Sequence, residues 1–351
     1  MRLRFLTSTP LNISQGSGTF AGIGTLARAV RRLGAEVQIL APGIRLPVYT
    51  ATRLVFNEQL SLRSQWGCDA TVGFDMDGYR IAGRGGPPHV ASVKGVIADE
   101  MRFERGLTRL TMSVQATCER KHVERADLVI TTSRYAARRI EELYKVPSVQ
   151  NIVPELIDLA GWRRLFAENP AVPDPAKFTV LTVCRFYPRK RLHLLLGAAA
   201  SLRDQIPGLA VRIVGSGPEY PRLEELRRDK RLEGTVQFLG DISPAGLARE
   251  YNRADLFCLP SVQEGFGIVF LEAMAAAKPI AAARAAAVPE VVTQGLLVEP
   301  DNQDAFTEAI RRMYRDPDLR ASLASEGRRV VEQYDAARVA ELFLAEVKRL
   351  L

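Results

Sequence analysis

A chain of 351 residues is long for one hydrophobic core and suits two domains of common size. Hydrophobic residues make up 47% and charged residues 25%, as in ordinary globular proteins, and no apolar run approaches the ~20 residues of a spanning helix or the core of a signal peptide, so a cytoplasmic protein is expected. The formal charge of +8 lies wholly in residues 1–164, with 23 Lys and Arg against 15 Asp and Glu, while residues 165–351 hold 25 of each; with 7% aromatic residues and no recognition motif, this argues against nucleic acid and suits a solvated basic face, an acidic acceptor or peripheral contact with an anionic membrane.

Short apolar runs alternate with turns and longer amphipathic segments, which predicts βα units and parallel sheets. Leu3–Leu6 reads as a strand, Gly16–Gly24 as a glycine-rich turn, Thr25–Leu33 as a helix ended by Gly34, and Val37–Leu40 as the next strand. Further strands are expected at Ala70–Phe74, Val90–Val93, Leu128–Thr131 and Val149–Val153, with helices at Leu107–Val123 and Ala136–Leu143. Three prolines between Asn169 and Pro175 then break any helix and suit a linker. A second series follows, with strands at Phe178–Val183, Val211–Val214, Val236–Leu239, Leu256–Leu259 and Ile280–Ala283. Helices at Gln303–Tyr314, Leu319–Gln333 and Ala336–Leu350 end the chain. Two doubly wound α/β domains facing a central cleft are the simplest architecture, with ligands beyond the carboxyl ends of the strands.

Four segments carry chemistry. The first is Pro260-Ser261-Val262-Gln263-Glu264-Gly265-Phe266-Gly267-Ile268, a strand exit that opens a helix reaching Glu272. Gly265 and Gly267 let backbone approach a ligand, and the first helical N–H groups make an anion site. Glu272 would lie roughly 8 Å along the helix axis from Gly267, so the two carboxylates can serve different parts of one ligand. The second is Cys184-Arg185-Phe186-Tyr187-Pro188-Arg189-Lys190-Arg191, where Arg185 and Lys190 can converge on a diphosphate and offset the charge of a leaving group, while Arg189 and Arg191 read as a solvated turn. The third is the strand-end turn Gly215-Ser216-Gly217-Pro218; the fourth, Gly16-Ser17-Gly18-Thr19, reads equally as a ligand loop and as a structural turn. Asp75-Met76-Asp77 looks like a metal motif, but the available cations make a metal unnecessary. Cys68, Cys118, Cys184 and Cys258, with His89, His122 and His193, have no metal-ligand spacing, and the thiols read as reduced small hydrophobes.

Together these residues resemble a family 4 glycosyltransferase of the GT-B fold. The resemblance is best from Thr179 to Val292: Glu264 and Glu272 match the family's spaced glutamates, Arg185 and Lys190 its diphosphate-binding cations, and Gly215, Gly217 and Pro218 its strand-end turn. Val236–Gly240, with Phe238 central, resembles the segment that meets the nucleotide base; Ala126–Ser133 and Pro289–Val292 also fit. The resemblance implies retaining, metal-independent transfer from a nucleoside-diphosphate sugar, UDP-linked ahead of GDP-linked, to a hydroxyl acceptor, with no cofactor. Glu264, Arg185 and Lys190 would be catalytic. Gly18, Gly215, Gly217, Phe238, Gly265, Phe266, Gly267, Ile268 and Glu272 would bind donor, and Gly16, Thr19 and Lys94 would serve the acceptor or sugar side. Three positions depart from the pattern: Lys94-Gly95 replaces a His-Gly pair, Glu155-Leu156 an Asn-Gly pair, and Ala285–Ala287 a glycine pair. The expected division is 1–170 on the acceptor side, 171–335 for the nucleotide sugar, and 336–351 as a helix returning to the first domain. A nucleotide-sugar epimerase and a non-catalytic nucleotide-sugar binding protein are the alternatives.

Overall fold

In a computed structural model, which describes residues 1–9, 18–63 and 65–351 (backbone only at 18–21), the chain forms two compact units: Met1–Leu156 with Ala336–Leu351, and Ile157–Asp335. Each is built on a six-stranded parallel sheet.

The first unit contains β1 (Arg2–Leu6), α1 (Gly18–Arg32), β2 (Glu36–Leu40), α2 (Tyr49–Leu62), β3 (Ala70–Phe74), β4 (His89–Val93), α3 (Ile97–Glu100), α4 (Gly106–Arg125), β5 (Leu128–Thr131), α5 (Arg134–Tyr144) and β6 (Asn151–Ile152). Its strand order is β2-β1-β3-β4-β5-β6. β3 and β4 are buried along their whole length, and Thr71, His89 and Ser92 are their only polar side chains. Leu3 and Phe5 of β1 pack with Ile23, Leu26 and Val30 of α1 and with Val339, Phe343 and Val347 of the chain's last helix, Ala336–Leu350. Those last three recur every fourth residue, one face of a helix. Each such fully buried side chain contributes about 1.5–3 kcal/mol.

The glycine-rich turn expected over Gly16–Gly24 is not a turn from Gly18 onward, because α1 begins there; Gly16 and Ser17 lie outside the described residues. Gly22 answers to packing: a Cβ on it would stand 2.5 Å from Glu155 Oε2. α2 had no sequence signal. Its N-cap, Val48, offers no capping side chain, and its inner face carries buried Thr52, Arg53 and Asn57 among the apolar residues.

The second unit contains α6 (Leu159–Glu168), β7 (Phe178–Val183), α7 (Leu192–Leu202), β8 (Leu209–Val214), α8 (Tyr220–Asp229), β9 (Val236–Gly240), α9 (Pro244–Arg253), β10 (Leu256–Leu259), α10 (Ile268–Ala275), β11 (Ile280–Ala283), α11 (Val288–Val291), β12 (Leu296–Val298), α12 (Gln303–Arg315) and α13 (Pro317–Val330), and then α14, already placed in the first unit, closes the chain. The order β12-β11-β10-β7-β8-β9 reverses direction beside β7, the switch point at which doubly wound sheets leave a crevice. One face of the sheet is covered by α7 and α12 through Leu195, Leu196, Phe306 and Ile310. The other carries Phe257, Phe270 and Tyr251, with Trp162 of α6 set edge-on to Tyr251.

That contact moves the expected boundary from 170/171 to 156/157. Asn252 Nδ2 donates to the carbonyls of Phe166 (3.0 Å) and Asn169 (2.8 Å), fastening the end of α6 to α9. The proline segment after Asn169 therefore lies inside the second unit rather than between the two.

Candidate functional site

The signals of the second unit collect where its strands end. At the exit of β8, Gly215 has a φ of +115°, and a Cβ there would lie 2.0 Å from the Cys184 carbonyl oxygen. A Cβ on Gly217 would lie 2.6 Å from the Phe186 nitrogen. Both glycines are therefore needed for backbone to pass backbone. Their closeness lets Phe186 N donate to Ser216 O (2.9 Å) and Gly215 N to Gly240 O (2.9 Å), drawing the exits of β7, β8 and β9 together. The side chains then meet: Arg185 Nη1 donates to Ser216 Oγ (2.9 Å) and stands 3.5 Å from Asp241 Oδ1, and Ser216 Oγ donates to Asp241 Oδ2 (2.9 Å).

The β10 exit docks on the β7 exit. Val262 N donates to Arg189 O (2.9 Å), and Ser261 Oγ reaches the same carbonyl (3.3 Å). This seats Glu264 against Lys190, which ends a one-turn 3-10 helix at Pro188–Lys190. Lys190 Nζ donates to Glu264 Oε1 at 2.5 Å, and the residues are 9% and 8% exposed. An ion pair buried this deeply is weak evidence of a stabilising role, because desolvating both charges offsets most of their attraction. At the mouth of α10, Gly267 adopts a φ of +90°; a Cβ on it would be 2.7 Å from the Phe270 ring and 3.7 Å from Glu264 Cγ. The Glu264 side chain thus lies beside the helix tip, whose first amides have no partner within the helix.

Cys184 shows that these groups share one neighbourhood. Burial pushes its thiol up to about 12; Lys190, Arg189 and Arg185 pull it down, and Glu264 pushes it up. The sequence offered no reason to place a thiol there beyond its position between Val183 and Arg185. Glu272 accepts a hydrogen bond from Tyr251 Oη (2.9 Å), and burial raises its carboxyl to about 7. Tyr251, fully buried on α9, was missed because its helix carries the residue as one apolar position among others. The Phe238 ring packs on Phe186 (5.7 Å) and Tyr220 (5.4 Å) beneath the Arg227 guanidinium, so its side chain serves the core. The Phe266 ring likewise meets Tyr334 edge-on. Both rings are thus engaged in packing within the second unit. Ala286, in the turn where a glycine pair is usual, has a left-handed φ of +51°, and the neighbouring Ala287 N donates to Glu264 O (3.3 Å).

In the first unit, Gly18 and Thr19 form the first turn of α1, and Gly16 lies outside the described residues. Two departures from the family pattern turn out to be partners. Lys94 Nζ stands 3.3 Å from Glu155 Oε1, with side chains 4% and 7% exposed. Asp75 and Asp77 are engaged by protein donors. Asp75 Oδ1 accepts from Lys94 N (2.9 Å), and Asp77 accepts from Ser8 N and Oγ (2.6 Å each) and from Asn57 Nδ2 (3.0 Å), with Arg53 at 3.5 Å. Among the described residues no group of three His, Cys, Asp or Glu is placed to hold a metal ion.

His89 and His122, set aside on spacing, form a buried relay. The Asp75 carbonyl oxygen can only accept, so His122 Nδ1–H donates to it (2.5 Å). Nε2 of neutral His122 then accepts from His89 Nε2–H (2.7 Å), and His89 Nδ1 accepts from Thr71 Oγ1 (2.6 Å). This fixes the backbone of Asp75, itself at a left-handed φ of +55°.

Residues 166–330 match the family model described as glycosyl transferases group 1. A D-inositol 3-phosphate glycosyltransferase of Saccharomonospora viridis is 31% identical over 242 residues, 64% of this chain and 56% of that protein. A phosphatidyl-myo-inositol mannosyltransferase of Mycolicibacterium smegmatis is 28% identical over 358 residues, 93% of this chain and 88% of that protein. The matched stretches span 53% to 65% of the length of the first three curated relatives. Among solved structures, sucrose-phosphate synthase from Thermosynechococcus elongatus superposes with a TM-score of 0.83 at 21% identity, covering 100% of this chain and 99% of that one, which establishes the shared GT-B fold.

Proposed function

We propose that the chain, whose residues 166–330 match the family model of the glycosyl transferases group 1, moves a sugar from a nucleoside-diphosphate sugar to a hydroxyl acceptor, with retention at the anomeric carbon and without a metal. The observation that carries this reading is the Lys190–Glu264 pair at the tip of α10. Without donor, each charge satisfies the other. A diphosphate arriving at the helix tip competes for Lys190 Nζ, and Glu264 is then released to accept from the donor sugar's hydroxyls. Arg185, held by Ser216 and Asp241 on the adjacent strand exit, adds a second cation facing the charge that grows on the leaving phosphate. Glu272, steadied by Tyr251, is left one carboxylate oxygen for the ribose. A uridine diphosphate donor is favoured over a guanosine one. Both relatives described above are named for inositol-bearing acceptors, so a cyclic polyol hydroxyl is the acceptor to test first.

The test is titration of the protein with uridine and guanosine diphosphates. Lys190→Ala should weaken binding by about 1.5–3 kcal/mol, the worth of one charge-assisted hydrogen bond. Unchanged affinity in a variant that still melts cooperatively would remove Lys190 from the site. Donor consumption that requires an acceptor, with product of unchanged anomeric configuration by NMR, separates transfer from its rivals: epimerisation proceeds without acceptor, and a mere binding protein consumes nothing. Asp75 and Asp77 are already bonded to protein donors, so excess chelator should leave turnover intact. Loss that added metal restores would refute the metal-free reading.

A further inference from the structure

α4 is buried on one side only from Gln115 onward, through Gln115, Ala116, Cys118, Glu119, His122 and Val123. Its beginning is different: every residue from Arg105 to Leu110 is exposed. On this free half, Leu107, Leu110 and Val114 are 73%, 63% and 42% exposed, and their spacing of three and four residues sets them along one face. The connection from β2 to α2 is exposed in the same way from Gly43 to Tyr49, with Ile44 at 62% and Val48 at 54%. Two hydrogen bonds hold the start of α2, into which that connection runs, alongside α4: Gln115 Nε2 donates to Thr50 Oγ1 (2.7 Å), and Arg53 Nη1 donates to Gln115 Oε1 (3.0 Å).

The charge around these aliphatic side chains has one sign. No acidic residue occurs from Val37 to Asn57 or from Gly106 to Cys118; Glu104 and Glu119, which flank the second run, are buried, and of the exposed Glu36 and Glu58 that bound the first, Glu58 is paired with Arg80. Arg105 and Arg109 are exposed on the same free half of α4. Aliphatic side chains standing from a projecting helix end, with arginines among them and no exposed carboxylate, suit the boundary between headgroups and acyl chains. A protein partner is the poorer fit, because binding energy at protein interfaces concentrates in aromatic anchors seated in pockets, and Leu and Val are under-represented there.

We propose that the free half of α4 and the β2–α2 connection form a docking surface for an anionic lipid bilayer, with Leu107, Leu110 and Ile44 entering the interface and Arg105 and Arg109 meeting lipid phosphates. This surface lies wholly in the first unit and uses none of the residues assigned to donor binding. Its test is sedimentation of the full chain with vesicles of equal parts phosphatidylglycerol and phosphatidylcholine, beside vesicles of phosphatidylcholine alone. The protein should partition onto the anionic vesicles at least ~10-fold more strongly, and rising salt should weaken the binding. Leu107→Glu with Leu110→Glu should lower partitioning by roughly tenfold or more, and Arg105→Gln with Arg109→Gln should flatten the salt dependence. Both double variants should keep the wild-type Tm and nucleoside-diphosphate affinity, since these side chains stand clear of the core. Three outcomes overturn the proposal: no partitioning at low salt, equal partitioning by the glutamate variant, or a wild-type dimer that ignores vesicles and that the glutamate variant converts to monomer.

Discussion

Lys94 and Glu155 show how two departures from a family pattern become one feature. Separately, each is a charge where the family usually has a neutral or titratable residue. Together they are a buried pair 3.3 Å apart. Glu155 Oε2 has no hydrogen-bond partner, so the pair depends on Lys94 for most of its compensation. Lys94→Ala should therefore destabilise the protein by about 3–5 kcal/mol, the usual cost of stranding a buried charge. Removing both charges together, as Lys94→Met with Glu155→Leu, should recover most of that loss. Urea unfolding of the two variants decides the matter: a single variant within about 0.5 kcal/mol of wild type would show that water already reaches the pair and that the burial argument fails.

At the scale of elements, the site depends on strand exits that touch. Gly215→Ala places a Cβ 2.0 Å from a carbonyl oxygen that belongs to backbone and cannot swing aside, at a φ that L-residues avoid. The loss should be about 3 kcal/mol or more, and Arg185, Ser216 and Asp241 should separate with it. Gly234, before β9, is the control: nothing lies within 4 Å of a Cβ there, and Gly234→Ala should change stability by less than ~0.5 kcal/mol. If both variants melt alike, the exits are not clamped as described. The same contrast explains what the sequence could and could not disclose. Strands rich in apolar residues, broken only by threonine or glycine, such as β3, β7 and β10, were legible because both faces are buried and burial writes itself into composition. That Glu264, Lys190, Arg185 and Gly267 would come into one neighbourhood was legible because the segments that carry them follow predicted strands of one parallel sheet, whose exits lie along one edge. α2 was hidden because its inner face mixes Thr52, Arg53 and Asn57 with apolar residues, which erases the helical period. Gly22 of α1 was misread because a helix glycine that clears a carboxylate looks, in sequence, like a turn. Tyr251 and Cys184 emerged only from tertiary packing.

At the scale of the molecule, charge and titratable groups are unevenly divided. The first unit holds 24 Lys and Arg against 16 Asp and Glu, and the second 24 of each. The first also buries the His89–His122 relay beside Asp75, and these respond to acid with opposite signs. Burial, set against the Asp75 carbonyl and Asp77 and reinforced by Arg53, lowers His122 to about 4 from an ordinary 6.5. His89 lies well below 6.5, through burial and then the charge of His122. The unfolded chain therefore takes up these protons first, and the fold loses stability as pH drops from 6.5 toward 4, by about 3 kcal/mol for His122. Asp75 is raised to about 6, by burial above all and against the pull of Arg53 and the Lys94 amide. Its protonation as pH falls from 6 toward 3.8 favours the folded state by a similar ~3 kcal/mol. Wild type should accordingly show a shallow acid limb, the difference of two steep ones. His122→Asn should raise the stability measured near pH 4 relative to that at pH 7, and Asp75→Asn should lower it. Thermal melts of the three proteins across that range test the balance. Curves that run parallel would mean that neither group changes its protonation on unfolding, and the buried relay would then have no part in the acid response.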